Sequence, residues 1–267
     1  MIAISVLFSD PSLDSAEPIG VRPVVVSYEE PEEEDPGIWY YDEARAARYD
    51  AFSALRPELD IEDVVWMVEA DLDIPDYTDV NAVPNPEALT ALVNKHFNLP
   101  ENYVPDDLVN IGNSMLRQDA ADAMREMIED AAAEGHTLWV QSGFRSFSTQ
   151  AGLFADYSAR DGVAVAETYS ARPGHSEHQT GLAVDFNSIT DSFGGTTEGI
   201  WAAENAWRYG YILRYTAENT SITLYKSEPW HFRYVGRGIA AEMRSGGYST
   251  YEEYWVKYIK HSPLNLG

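Results

Sequence analysis

The chain has 267 residues, 45% of them hydrophobic and 12% aromatic, which suits one large domain or a catalytic domain with a smaller N-terminal piece and excludes disorder over most of the length. A formal net charge of −26 repels DNA, RNA and anionic lipid, so a general nucleic-acid binder is excluded, while the same field gathers cations, metal ions included. With no cysteine there is no disulfide framework, thiolate metal site or cysteine nucleophile, and any metal must be held by His, Asp or Glu.

Residues 1–8 are apolar but have no Lys or Arg before them, and Ser9, Asp10 and Pro11 follow at once. That is too short and wrongly flanked for a secretory signal, so either a leader has been removed or the chain starts here. No stretch reaches the ~18 apolar residues needed to cross a bilayer. Residues 21–27 can form a strand, confined at first to an edge by Pro23. Residues 28–37 interleave Glu29, Glu30, Glu32, Glu33, Glu34 and Asp35 with Pro31 and Pro36, which predicts a loop or linker. Helices are expected over 42–55 and 62–72, followed by breaks at Pro75, Pro84 and Pro86 and an extended, turn-rich strap over 99–109.

The second half is more regular. Ala120, Ala123, Met124, Met127, Ile128 and Ala131 keep one helical face apolar, and Gly135 is placed to end that helix. A short strand is predicted over 138–141, a turn over 143–146 and a helix over 148–160. Alternation over 182–186 is weak but strand-like, a helix is expected over 198–208, and strand candidates follow at 211–215, 222–226 and 231–235. Helices over 238–244 and 251–259 close the chain. The pattern predicts an α+β fold, with helices around a small, mostly antiparallel sheet. The domain expectation is an N-terminal segment with its acidic loop at 1–37, a helical extension at 38–90 and a catalytic domain at 91–267.

Two stretches carry chemistry: SEHQTGLAVD at 176–185 and EPWH at 228–231. A catalytic zinc needs three protein ligands and an open position, and His178, Asp185 and His231 would supply that set. Bound there, the metal would lower the pKa of water and polarise a carbonyl. Glu228, the spare carboxylate, would move the proton from water to the leaving amine. Asp185 can face a cleft while Leu182, Val184 and Phe186 face the core. A lone His is more often structural, which is the reading for His96, His136 and His261 and, near the site, for His175. Taken alone, Asp185 could equally be a turn or capping residue.

These stretches resemble the S-x-H-x-x-G-x-A-x-D and E-x-W-H motifs of the D-alanyl-D-alanine carboxypeptidase family of zinc peptidases, relatives of the VanY enzymes. The resemblance extends through GFRSFSTQ, ARPGHSEHQTGLAVDF and SEPWHFRYVG, and spans roughly 91–236. It implies the small α+β zinc peptidase fold shared with the hedgehog signalling domain. It makes His178, Asp185 and His231 zinc ligands, Glu228 the general base, and Arg145 the arginine that meets the substrate's carbonyl or carboxylate. Gln150 and Ser176 look like substrate-positioning residues, and Trp230 is either a wall of the pocket or core. The partner implied is a D-Ala-terminated peptidoglycan stem peptide, met outside the cell or at the wall; nothing in the sequence specifies an oligomer.

Three positions depart from relatives: Phe144 replaces a tyrosine, TAENTS at 216–221 replaces a segment with Pro and Lys, and Leu224 stands where glycine is usual. The function implied is removal of the C-terminal D-alanine from stem peptides. Alternatives are L,D-carboxypeptidase action on tetrapeptide stems, endopeptidase action, or a zinc-containing wall-binding module without catalysis. Retention of Glu228 argues against the last, and a carboxylate-binding Arg145 against endopeptidase action.

Overall fold

The structure, a computed structural model, describes residues 37–261. The expectations for 1–8 and 21–27, and all but the end of the acidic loop, lie outside the described residues. A 3-10 turn, Glu43–Arg45, leads into α1 (Ala46–Leu55), and α2 (Ile61–Glu69) begins where the Asp60 carboxylate accepts from the Asp63 N–H. Glu62 and Asp63 in its first turn also suit the positive end of the helix. Two tiny strands, β1 (Asn81–Ala82) and β2 (Phe97–Asn98), pair in parallel. A hairpin, β3 (Leu108–Ile111) with β4 (Ser114–Arg117), was not expected from the sequence, although Gly112-Asn113 between the two strands is hairpin chemistry.

The centre is built from α3 (Gln118–Ala133), β5 (Val140–Ser142), α4 (Phe147–Asp161), α5 (Val163–Ala166) and β6 (Ala183–Phe186). It continues through α6 (Thr197–Asn205), β7 (Tyr211–Leu213), α7 (Thr220–Thr223) and β8 (His231–Tyr234). Closing elements are α8 (Arg237–Gly246), α9 (Tyr251–Tyr254) and a π-helical stretch, Trp255–Lys260. The principal sheet has the order β5-β6-β8-β7, with every pairing antiparallel.

One face of that sheet carries Leu182, Val184, Phe186 and Phe232 into a core with Met124 and Met127 of α3 and Trp201 of α6. Each fully buried side chain of this class contributes ~1.5–3 kcal/mol. The other face carries Asp185 and His231 and is equally closed to solvent, so all four residues of β6 are buried. Burial on both faces is why the sequence alternation of β6 was faint.

The N-terminal helices are held to the C-terminal end. Lys257 Nζ lies 2.8 Å from Glu62 Oε1, and Lys260 pairs with the buried Glu69. Glu69 also accepts from the Tyr49 hydroxyl at 2.6 Å.

One predicted strand is absent. Over 222–226 the chain instead completes the helical turn α7 and then reverses at Leu224, whose φ of 63° is left-handed. Asn219 imposes this path, because its side chain donates to the carbonyls of Arg214 and Ser249 and accepts from the Thr216 N–H. A non-glycine residue held left-handed costs ~1–2 kcal/mol, so this position would favour glycine.

Candidate metal centre

Antiparallel register builds the site. Asp185 of β6 lies opposite His231 of β8 on one side and Ser142 of β5 on the other, so one cross-strand row runs Ser142, Asp185, His231. His178 enters from the 3-10 turn Glu177–Thr180, which Gly181 closes at φ 68° before the chain enters β6. That turn is braced from within and from outside. Thr180 Oγ1 donates to the Glu177 carbonyl at 2.6 Å, and Gln179 Nε2 donates to the Pro100 and Tyr103 carbonyls of the strap.

His178, Asp185 and His231 are all buried, and one ligand atom from each lies within 4.8 Å of the others. Hydrogen bonds fix which nitrogen faces the centre. His178 Nδ1 is 2.7 Å from the Gly143 carbonyl, which can only accept, so Nδ1 carries the proton and Nε2 is turned inward. His231 Nε2 is 3.0 Å from Glu177 Oε2, leaving Nδ1 inward. Asp185 receives both rings, Oδ2 at 3.3 Å from His178 Nε2 and Oδ1 at 3.2 Å from His231 Nδ1. A tetrahedral zinc with bonds of ~2.0–2.2 Å separates its ligands by roughly 3.3–3.6 Å, so the donor set fits that ion in type, number and spacing.

The electrostatics agree. Burial opposes the charge on Asp185, yet the two imidazoles hold its carboxyl well below the usual range. Burial keeps His178 neutral by lowering its pKa. Burial also works against the His231 cation, but Asp185 and Glu177 push it up to about 9, so the metal-free ring is a cation between two carboxylates. A metal ion would replace the Nδ1 proton in that arrangement.

Glu228 sits beside the set, with Oε2 3.9 Å from His231 Nδ1, because the His231 N–H closes a turn onto the Glu228 carbonyl. Burial pushes its carboxyl up to about 7, with His231 acting against the shift and Asp185 for it. Arg145 leaves the end of β5, donates from Nη2 to Ser142 Oγ at 3.0 Å and from Nη1 to Gln150 Oε1 at 2.9 Å, and lies 3.8 Å from Asp185. The amide nitrogen of Gln150 is itself engaged with the Ala171 carbonyl at 2.7 Å, so this side chain orients the guanidinium.

His178, Asp185, His231, Glu228, Arg145 and Gln150 line one cleft of about 450 Å³. Ser176 lies on its wall, and Trp230 does both things the sequence left open, lining the cleft while packing in the core. His175 is held by the Asn94 carbonyl and packs edge-on against Tyr77. His96 is 1% exposed in the interior, His136 packs against Trp201, and His261 lies 3.6 Å from Glu69, all away from the metal centre.

Sequence reasoning assigned no role to Glu177, Gly143 or Tyr215. Glu177 is inside the quoted motif, but its contact with His231 spans 54 residues and has no local signature. At Gly143 a Cβ would stand 2.5 Å from the Met115 carbonyl oxygen, so glycine lets the turn bring its own carbonyl to His178. The Tyr215 ring lies 4.9 Å from that of His231.

Residues 113–237 match the family described as VanY, D-alanyl-D-alanine carboxypeptidase. YodJ of Bacillus subtilis (strain 168) is 40% identical over 204 residues, 70% of this chain and 74% of its own length. Among solved structures, the LdcB LD-carboxypeptidase is 38% identical with a TM-score of 0.64, over 69% of this chain and 93% of that one. A vancomycin-resistance D,D-pentapeptidase VanY in complex with Zn(II) is 35% identical with a TM-score of 0.54, over 62% of this chain and 97% of that one. VanYB in complex with D-Alanine-D-Alanine gives the same identity and TM-score, over 62% of this chain and 96% of that one.

Proposed function

The chain belongs to the VanY family of D-alanyl-D-alanine carboxypeptidases, and we propose that the cleft described above is its active site. His178, Asp185 and His231 hold the zinc, Glu228 is the general base, and Arg145 receives the terminal carboxylate of the substrate. Zinc bound there supplies Lewis acidity toward the scissile carbonyl and acidifies water. The protein's own groups do the rest. Glu228, buried beside the ligand set, takes the proton of the attacking water and returns it to the leaving amine. Arg145, held by Ser142 and Gln150, presents a planar fork to a carboxylate that would otherwise be repelled in so acidic a protein.

The enzyme is a zinc-dependent carboxypeptidase for D-Ala-D-Ala-terminated peptides. Its natural substrate on this reading is the peptidoglycan stem, with Ser176 and Trp230 forming the walls around the terminal residue and the reaction taking place outside the cell or at the wall. Among the described residues no helix is long and apolar enough to cross a membrane.

The observation that carries the reading is the convergence of three correctly oriented ligand atoms beside the spare carboxylate of Glu228. Zinc-loaded protein incubated with synthetic pentapeptide stems should release D-alanine. No release would overturn the reading. The likeness to LdcB favours a second reading, L,D-carboxypeptidase action, which the same assay reads as release from tetrapeptide stems instead.

A further inference from the structure

Behind His231 lies a chain of buried charge that runs from Glu177, on the cleft wall, through Arg214 to Glu252. Glu177, Arg214, Arg233 and Glu252 are no more than 2% exposed. Both oxygens of Glu177 are committed: Oε2 faces His231 Nε2 at 3.0 Å, and Oε1 accepts from Arg214 Nε at 2.8 Å with Arg233 Nη1 at 3.5 Å. The two remaining nitrogens of Arg214 grip Glu252 of α9 at 3.0 and 2.7 Å, and Asn94 donates to the same carboxylate at 3.2 Å. Arg233 is anchored separately on the carbonyls of Leu89, Ala91 and Tyr234.

Burying four charges is costly, and an apolar cluster of the same volume would serve packing alone as well. What an apolar cluster cannot do is dictate which nitrogen His231 offers. We propose that Glu177 is a positioning residue of the metal centre, and that Arg214 and Glu252 hold it in register. By accepting from Nε2–H, Glu177 locks the ring with Nδ1 turned toward Asp185, and its charge raises the donor strength of that nitrogen. The Arg214–Glu252 pair ties this lock to α9. Both Asn94 and Glu252 fall outside the family match at 113–237, so the metal centre depends on flanking chain that the match does not include.

The inference rests on His178, Asp185 and His231 being the zinc ligands, and the test separates the two ideas. Glu177→Asp keeps the buried charge but draws the carboxylate back by one methylene, too short to reach both His231 and Arg214. Glu252→Gln leaves Glu177 intact and weakens its support. Zinc affinity is measured by chelator competition on the full chain, together with the thermal midpoint of the metal-free protein and kcat and KM on a D-Ala-D-Ala pentapeptide at saturating zinc. Glu177→Asp should lose zinc affinity about 10–100-fold and lower kcat with KM within about twofold, and Glu252→Gln should show a smaller loss of affinity. His178→Ala is the control for the ligand assignment. If it keeps wild-type zinc affinity, that assignment fails and the inference with it. If His178→Ala loses zinc while Glu177→Asp binds it as wild type does, only the positioning role is overturned. Should Glu177→Asp not fold, Glu252→Gln decides alone, wild-type affinity counting against the proposal.

Discussion

In the proposed roles, Glu228 and Arg145 each act through one chemical property. For Glu228 it is basicity. Glu228→Gln removes the proton acceptor and leaves the ligand set untouched, so zinc should stay bound while kcat falls by ~10²–10⁴. The base works only when ionised. Activity should therefore rise with pH through the Glu228 pKa, about 7 in the metal-free protein and lower with a dication beside it. A pH profile of kcat/KM for the zinc enzyme should show its acid limb at or below that value, and an unchanged limb in Glu228→Gln would reassign the base. For Arg145 the property is shape. Arg145→Lys keeps the charge but loses the fork, forfeiting a charge-assisted hydrogen bond of about 1.5–3 kcal/mol, roughly 10–150-fold in kcat/KM on free-acid peptides. Amidated peptides should be poor substrates for the wild type and insensitive to the substitution. Equal cleavage of acid and amide by the wild type would remove the carboxylate role.

Among the elements, the turn Glu177–Thr180 delivers both the proposed ligand His178 and Glu177, the partner of His231. It ends at Gly181, where φ is 68° and a Cβ would stand 2.8 Å from Leu108 Cδ2 and 3.0 Å from Arg117 Cγ. Gly181→Ala should cost about 1–3 kcal/mol from the left-handed backbone and the clash together, and should weaken zinc binding because the hairpin β3–β4 pushes back on the turn. Chemical denaturation with and without zinc would measure both, and a variant as stable as the wild type would show that the turn relaxes freely. The same hairpin sets the limit at Gly143, so β3 and β4 brace two of the loops that frame the cleft.

Across the whole molecule, the N-terminal helices are clamped to the C-terminal end through Glu69. Burial alone would raise its pKa, but His261, Lys260 and Tyr49 gather round and hold it near 2 against an ordinary 4.5. A depressed carboxyl pKa means that the folded state favours the ionised form. Its contribution is complete above pH 4.5 and is lost as pH falls toward 2. The thermal midpoint should drop by on the order of several degrees across that window, and Glu69→Gln should flatten that part of the profile while lowering stability at neutral pH. A wild-type midpoint independent of pH between those values would mean the clamp contributes nothing.

Periodicity was enough for the long helices: the apolar stripe from Ala120 to Ala131 is α3, and 148–160 falls within α4. Residue type and motif singled out His178, Asp185 and His231, which the fold does bring together, because few side chains can hold zinc and the chain has no cysteine to compete. Glu228 and Arg145, named on the same grounds, line the same cleft, and their roles are proposals. The short strands were harder. β6 is buried on both faces and so lost its alternation, and 222–226 was misread as a strand because Asn219, not local propensity, bends the chain at Leu224. Only the folded chain could show which ring nitrogen of each histidine faces the centre, or that Glu177, Arg214 and Glu252 stand behind it. Those facts are contacts between residues tens of positions apart, set by sheet register and packing. A sequence lists the side chains able to do the chemistry; their mutual distances and protonation exist only once antiparallel pairing has put Asp185 across from His231.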